Sequence, residues 1–135
     1  MPQPMHKIIL QTYCDRHRKL LAFVEEMTDA QLRWLPQPCG NSIAFNLWHL
    51  ARWADGMQVI FPGMTPELKQ RLGERVQIWD SEELAAKWNF KSSQLGFAET
   101  GMGMSDVEAR RLNFALKAEM LDYVRKVFVA VEEAV

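Results

Sequence analysis

Three residues in one stretch of the chain can do chemistry together. Asn46, His49 and Trp53 stand three and four positions apart in NSIAFNLWHLARWADGMQVIF, residues 41–61. In a helix that spacing makes them surface neighbours. An imidazole titrates near neutral pH and is the commonest metal ligand. His49 is therefore the candidate metal ligand, with Asn46 and Trp53 at the rim of a pocket between helices. His17 lies on or beside the core face of an earlier helix and joins them as the fourth candidate pocket residue.

No local motif assigns a reaction to this set. A catalytic zinc ion usually takes three protein ligands and keeps one position open. The chain has only His6, His17 and His49, and neither an HxxxH nor an HExxH pair. His17 and His49 supply two ligands if their helices face each other. Asn46 is a poor zinc ligand, and Asp55 falls on a different face of its helix. Cys14 stands three residues before His17, a spacing that can lower a thiol pKa but that also arises often by chance. There is no phosphate-binding glycine loop and no G-x-S-x-G elbow. Catalytic residues, cofactor-binding residues and substrate stay unassigned.

The elements that must position these residues read as helices. Ser42 is a good N-cap. Ile43, Leu47, Leu50, Ala54, Met57 and Phe61 then form an apolar stripe, which Pro62 and Gly63 end. An earlier helix spans Met5 to about Met27, with Leu10, Cys14, His17, Leu21 and Val24 on one face. Thr28 and Gln31 make a capping box for a short helical turn. Thr65 and Pro66 open another short helix, ended by Gly73. Residues 80–83 cap a third, which carries Leu84 and Trp88. Residues 91–104, with three glycines, read as loop. Ser105 then caps a long last helix. Val107, Phe114, Leu121, Phe128 and Val135 repeat along it every seven residues, beside a second row of Leu112, Leu116, Met120, Tyr123 and Val127. No strand-like alternation occurs. The fold class is all-α, with long helices near residues 5–27, 42–61 and 105–134.

Composition narrows the partners. A length of 135 residues suits one domain, and a net charge of −1 gives no electrostatic reason to expect nucleic acid or an anionic membrane. The start MPQPMHK lacks a basic segment followed by an apolar run, and no apolar stretch is long enough to span a bilayer. Cys14 and Cys39 show no CxxC spacing, so two free thiols in a reducing cytoplasm are expected.

Three segments in this order resemble the DinB/YfiT-like superfamily: TDAQLRW, then NSIAFNLWHLARWADGM, then ETGMGMSDVE at the start of the last helix. The likeness runs from about His6 to Val135, so residues 1–135 are expected to form a single DinB-like helical domain. The resemblance implies a four-helix bundle and, in many members, a divalent metal such as zinc, nickel or iron. Some relatives are thiol-dependent transferases or isomerases that use mycothiol, bacillithiol or glutathione. It also implies ligands, namely one histidine from the second helix and an HxxxH pair from the fourth. His49 matches the first, and nothing here matches the pair. Val135 falls where the family turns into its fourth helix. The expectation is therefore a C-terminally short member, or one completed by another chain, with an incomplete metal site. If active, it would be a metal-dependent transferase or hydrolase on a small molecule. The other readings are a non-catalytic helical dimerisation module and a fragment of a larger DinB-like protein.

The last helix also predicts self-association. About thirty residues span ~45 Å, whereas the first helix spans only ~35 Å. Two helices cannot cover both apolar rows, which leaves Val124, Val127, Phe128 and Val131 as an apolar surface of a kind that monomers rarely expose. The expectation is a two-fold homodimer through this half of the helix, dissociated by Phe128→Asp.

Overall fold

The computed structural model describes residues 2–135. The helices are α1 (Met5–Glu25), α2 (Asp29–Arg33), α3 (Ile43–Ile60), α4 (Pro66–Leu72), α5 (Ile78–Ser81), α6 (Leu84–Lys87), α7 (Asp106–Arg110) and α8 (Lys117–Ala134). No named strand occurs among the described residues. The starts that local chemistry specifies fall where expected. Ser42 accepts from the Phe45 N–H, Thr65 accepts from Leu68, and Thr28/Gln31 and Ser105/Glu108 form reciprocal capping boxes. Gly73 ends α4 at φ 67°.

Helix α8 is the middle of the bundle. Glu25 at the end of α1 meets Lys117 and Arg125, while His17 reaches Glu132 at 2.7 Å, so α1 runs antiparallel to α8. Phe45 packs near Phe114, Asp55 meets Tyr123, and Arg75 links Gln58 to the Ala130 carbonyl. Helix α3 therefore runs parallel to α8 and antiparallel to α1. The main helix contact is α3 on α8, and α1 leans on α8 rather than on α3. Trp48, Trp79, Trp88, Phe90, Phe114 and Tyr123 form one aromatic cluster, with centroids 5.3–6.4 Å apart in tilted and edge-on pairs. Such rings dominate a core because each buries roughly 150–250 Å².

Three sequence expectations are corrected here. The last helix is not continuous. It breaks at residues 111–116, where Phe114 turns into the core and Arg33 holds the Asn113 side chain and the Phe114 carbonyl. Helix α8 then starts with no side-chain cap of its own. Instead, Asp29 of α2 accepts the Lys117 N–H at 2.7 Å. Val107 and Leu116, placed in the apolar rows by periodicity, are exposed.

Second, Val124, Val127, Phe128 and Val131 are all buried within this one chain. Helices α1, α3 and the short α5–α6 pair approach α8 from three sides. Trp79 packs tilted and Trp88 edge-on against Tyr123, and His17 lies on the Phe128 ring at 3.8 Å. The surface from which a dimer was expected does not exist. Third, α3 is rotated from its expected setting. Leu50 and Met57 of the apolar stripe face outward, while Arg52, Asp55 and Gln58 are buried.

Phe128→Asp is accordingly expected to unfold the single chain rather than split a dimer. It loses a buried ring and buries a carboxyl without a partner, a cost of at least about 3 kcal/mol. Urea unfolding measures it, and a variant as stable as the parent would contradict this packing.

Candidate functional site

The best-organised polar site is centred on Asp55, which is fully buried. Its Oδ1 accepts from the Ile78 N–H at 2.9 Å and from Gln58 Nε2 at 3.2 Å. Its Oδ2 accepts from the Trp79 N–H at 2.9 Å, the Tyr123 hydroxyl at 2.9 Å and Arg52 at 3.3 Å. The Ile78 and Trp79 amides open α5, whose own N-cap residue Gln77 gives no side-chain bond. Asp55 therefore caps a helix across 23 residues of sequence. A carboxylate at a helix N-terminus satisfies orphan donors and meets the positive end of the dipole.

Arg52 spends the rest of its guanidinium on a loop. It lies over the Trp79 ring at 4.9 Å and donates to the carbonyls of Glu99 at 2.8 Å and Ala98 at 3.4 Å. Ala98 and Glu99 both sit at positive φ, 50° and 56°, where a side chain is strained. The bonds from Arg52 hold that turn in place. Gly101, at φ 87°, then passes so close to α3 that a Cβ would stand 2.8 Å from Trp48. Only glycine permits that approach.

The pinned loop sets the state of His49. Its Nδ1 is bonded to the Thr100 carbonyl, and its ring stacks on Phe45 at 5.7 Å. A carbonyl only accepts, so Nδ1 carries the proton and Nε2 is the nitrogen left for another partner. His49 is half-buried. Asn46 is exposed and donates to the Ser42 carbonyl of its own helix.

Trp53 and His17 lie elsewhere, in a groove of about 340 Å³ between α1 and α3. Tyr13, Leu20, Leu50 and Met57 form its walls, Ala54 and Phe128 line it too, and Arg16 brings one positive charge to its α1 side. The structure thus brings His17 and Trp53 together, and neither His49 nor Asn46 is in that groove. His17 is buried, with Nδ1 on Glu132. Burial, with Glu132 beside it, pushes the Cys14 thiol up from its ordinary value, so the spacing from His17 yields no activated thiolate.

The donor set does not fit a complete metal centre. Among the described residues no group of three His, Cys, Asp or Glu, with His49 or without it, is arranged to hold an ion. Three protein donors are the usual minimum for a catalytic zinc site.

The described residues form an all-α bundle in which His49 of α3 stands beside the pinned loop. The model of the DinB superfamily matches residues 14–134, and the chain belongs to that family. No curated protein and no solved structure gives a match.

Sequence reasoning missed Arg52, Asp55, Gln58 and Tyr123. A signal was present, because Arg52 and Asp55 are the only acidic or basic residues in α3, if its histidine is set aside. A helix with so few charges exposes them only if its apolar face is inside, and here the charges are inside.

Burial pushes the Tyr123 phenol well above its ordinary range, Arg52 opposes that, and the Asp55 carboxylate adds to it. The folded chain therefore keeps the phenol protonated more firmly than the unfolded chain does. This contribution is fully present below pH ~10 and is lost as pH rises further. Tyr123→Phe is expected to cost about 1–3 kcal/mol at pH 7 and to flatten the fall in stability above pH ~10. An unchanged alkaline slope in denaturant titrations would contradict the assignment.

Proposed function

We propose that this DinB-superfamily chain is a helical recognition module that holds another apolar helical surface against α1 and α3. The observation that carries the reading is the outward face of α3. Asn46, Leu50, Trp53, Met57 and Ile60 are all exposed and follow one another at helical spacing, and no charge lies among them. A solvated helix face normally carries its charges outside. A contiguous apolar face of this length marks an interaction site on a soluble protein. Among the described residues no helix is long and apolar enough to cross a membrane. Two free cysteines support a reducing, cytoplasmic setting.

The test uses an anilinonaphthalene sulfonate dye at sub-micromolar protein. The wild type is expected to bind it, and Leu50→Lys with Trp53→Glu to abolish binding while leaving the thermal midpoint nearly unchanged. Equal dye binding by both proteins would move the recognition surface away from α3. A collapse of stability would make this face part of the fold instead.

One observation favours a second reading, in which His49 gives one donor to a divalent metal, zinc, nickel or iron, and a small substrate or another chain gives the rest. Metal-ligating histidines usually donate their other ring N–H to a carbonyl or carboxylate, and His49 Nδ1 is bonded in that way to Thr100. Equilibrium dialysis against each metal decides it. His49→Ala is expected to lose bound metal, and equal content in both proteins would end the ligand role.

A further inference from the structure

The groove between α1 and α3 has a polar side that an apolar partner does not use. His17 is only 7 % exposed, yet it lines the groove. Its Nδ1 is taken by Glu132 at 2.7 Å, and no described protein group reaches Nε2. Nor is Nε2 sealed in. Among the described residues the polar side-chain atoms buried without a partner are Asn41 Oδ1, Trp48 Nε1 and Gln77 Oε1. The open nitrogen of a buried ring therefore faces the groove. Two more groups stand on the same side. Arg16 lines the groove and joins none of the ion pairs among the described residues. Tyr13 packs against His17 with ring centroids 4.2 Å apart. Burial pushes its phenol up, with Glu132 and Cys14 adding to this, so its hydroxyl keeps the proton. The α3 wall is apolar, made by Leu50, Trp53 and Met57. A groove of about 340 Å³ with apolar walls and a few convergent polar groups falls within the small-molecule range of roughly 300–1,000 Å³.

Charge decides which head group fits. Glu132 accepts from His17, so Nδ1 carries a proton and neutral His17 shows only a lone pair at Nε2. With His17 neutral, the charges of Glu132 and Arg16 cancel. With His17 protonated, the imidazolium pairs with Glu132, and Arg16 is left as net positive charge. Cys14 adds no charge, because burial and then Glu132 push its thiol up. Asp15 is engaged by Arg18, and no acidic or basic residue of α3 lines the groove. A cation would meet Arg16 as like charge, and a neutral ligand would leave it unanswered. We infer that the groove binds a small amphiphilic monocarboxylate, with its apolar body against Trp53 and Met57 and its carboxylate between His17 Nε2 and Arg16. Hydrogen bonds from charged donors to a carboxylate are the stronger kind. A carboxylate facing the neutral ring would set lone pair against lone pair, so binding draws a proton onto Nε2. Affinity then falls as pH rises through the imidazole range, about pH 5–8. The inference goes beyond the recognition reading and does not rest on it, since the anchors stand on α1 and not on the outward face of α3. The two share Leu50, Trp53 and Met57, so a bound acid would compete with a docked helix.

Calorimetric titration with phenylbutyrate and its neutral counterpart phenylbutyramide tests this on the wild type and on Arg16→Gln, a change at an exposed position. Near pH ~6 the wild type is expected to bind the acid at least about tenfold more tightly than the amide, and to lose most of that preference by pH ~8. Titrations in two buffers of different ionisation enthalpy should show protons taken up with the acid and none with the amide. Arg16→Gln is expected to weaken the acid about tenfold and leave the amide unchanged. Imidazole nitrogen NMR reads His17 directly, with its signals assigned through His6→Gln and His49→Gln so that His17 itself stays in place. Its Nε2 signal should move from the unprotonated to the protonated position as the acid is added.

Equal affinity for acid and amide would reduce the groove to a merely apolar one and overturn the inference, as would binding of neither. Acid binding that Arg16→Gln leaves unchanged would place the anion elsewhere. A His17 signal that stays still at saturating acid would remove His17 from the site.

Discussion

One buried carboxylate, Asp55, fixes how the main helix of the bundle faces its neighbours. Five donors converge on its two oxygens from α3, α5 and α8. A charge in such a place is tolerable only when paired and fully hydrogen-bonded. Rotating α3 by one residue would strand it, with a penalty of several kcal/mol. The bonds are therefore as much a specification of orientation as a source of stability. They tie together three segments that apolar packing alone would let slide.

That orientation has consequences in two directions. Inward, Arg52 reaches the strained Ala98–Glu99 turn, and the turn delivers the Thr100 carbonyl to His49. The tautomer of the only histidine on α3 thus depends on an ion pair one turn further along the same helix. Outward, α3 gives up its charges to the core and shows Leu50, Trp53, Met57 and Ile60 to solvent. A polar interior and an apolar exterior on one helix are two aspects of one setting. The exposed face follows from Asp55 as directly as the buried one does.

The sequence disclosed some of this and concealed the rest for identifiable reasons. Helix starts were legible at Thr28, Ser42, Thr65 and Ser105, because a cap is a local contact between residues three apart. The start of α8 was not, because its cap is Asp29, 88 residues away. Periodicity placed Leu50 and Met57 inside by counting apolar residues, without asking where Arg52 and Asp55 would then go. The covering of Phe128 and Val127 by α1, α3 and the Trp79–Trp88 segment was hidden for a similar reason. That segment looked like connection, yet it supplies two of the largest core side chains. For the candidate site, type and spacing single out His49 as a candidate, and its bond to the Thr100 carbonyl lies 51 residues away, beyond the reach of spacing. That Trp53 meets His17 in the α1/α3 groove while His49, one turn away, does not line it depends on the helix rotation and could not be read from spacing.

The claim on which the other conclusions rest is that Asp55 holds the opening of α5 through the Ile78 and Trp79 amides. Amide hydrogen exchange at those two positions addresses it directly, in the native chain and in Asp55→Asn. In the native chain both amides should be protected close to the level set by global unfolding, as amides in the last structure to open are. In the variant their protection should fall far more than that of mid-helix amides in α8. Ile78 and Trp79 amides that exchange as fast in the native chain as in an unstructured peptide would show that Asp55 does not organise the bundle.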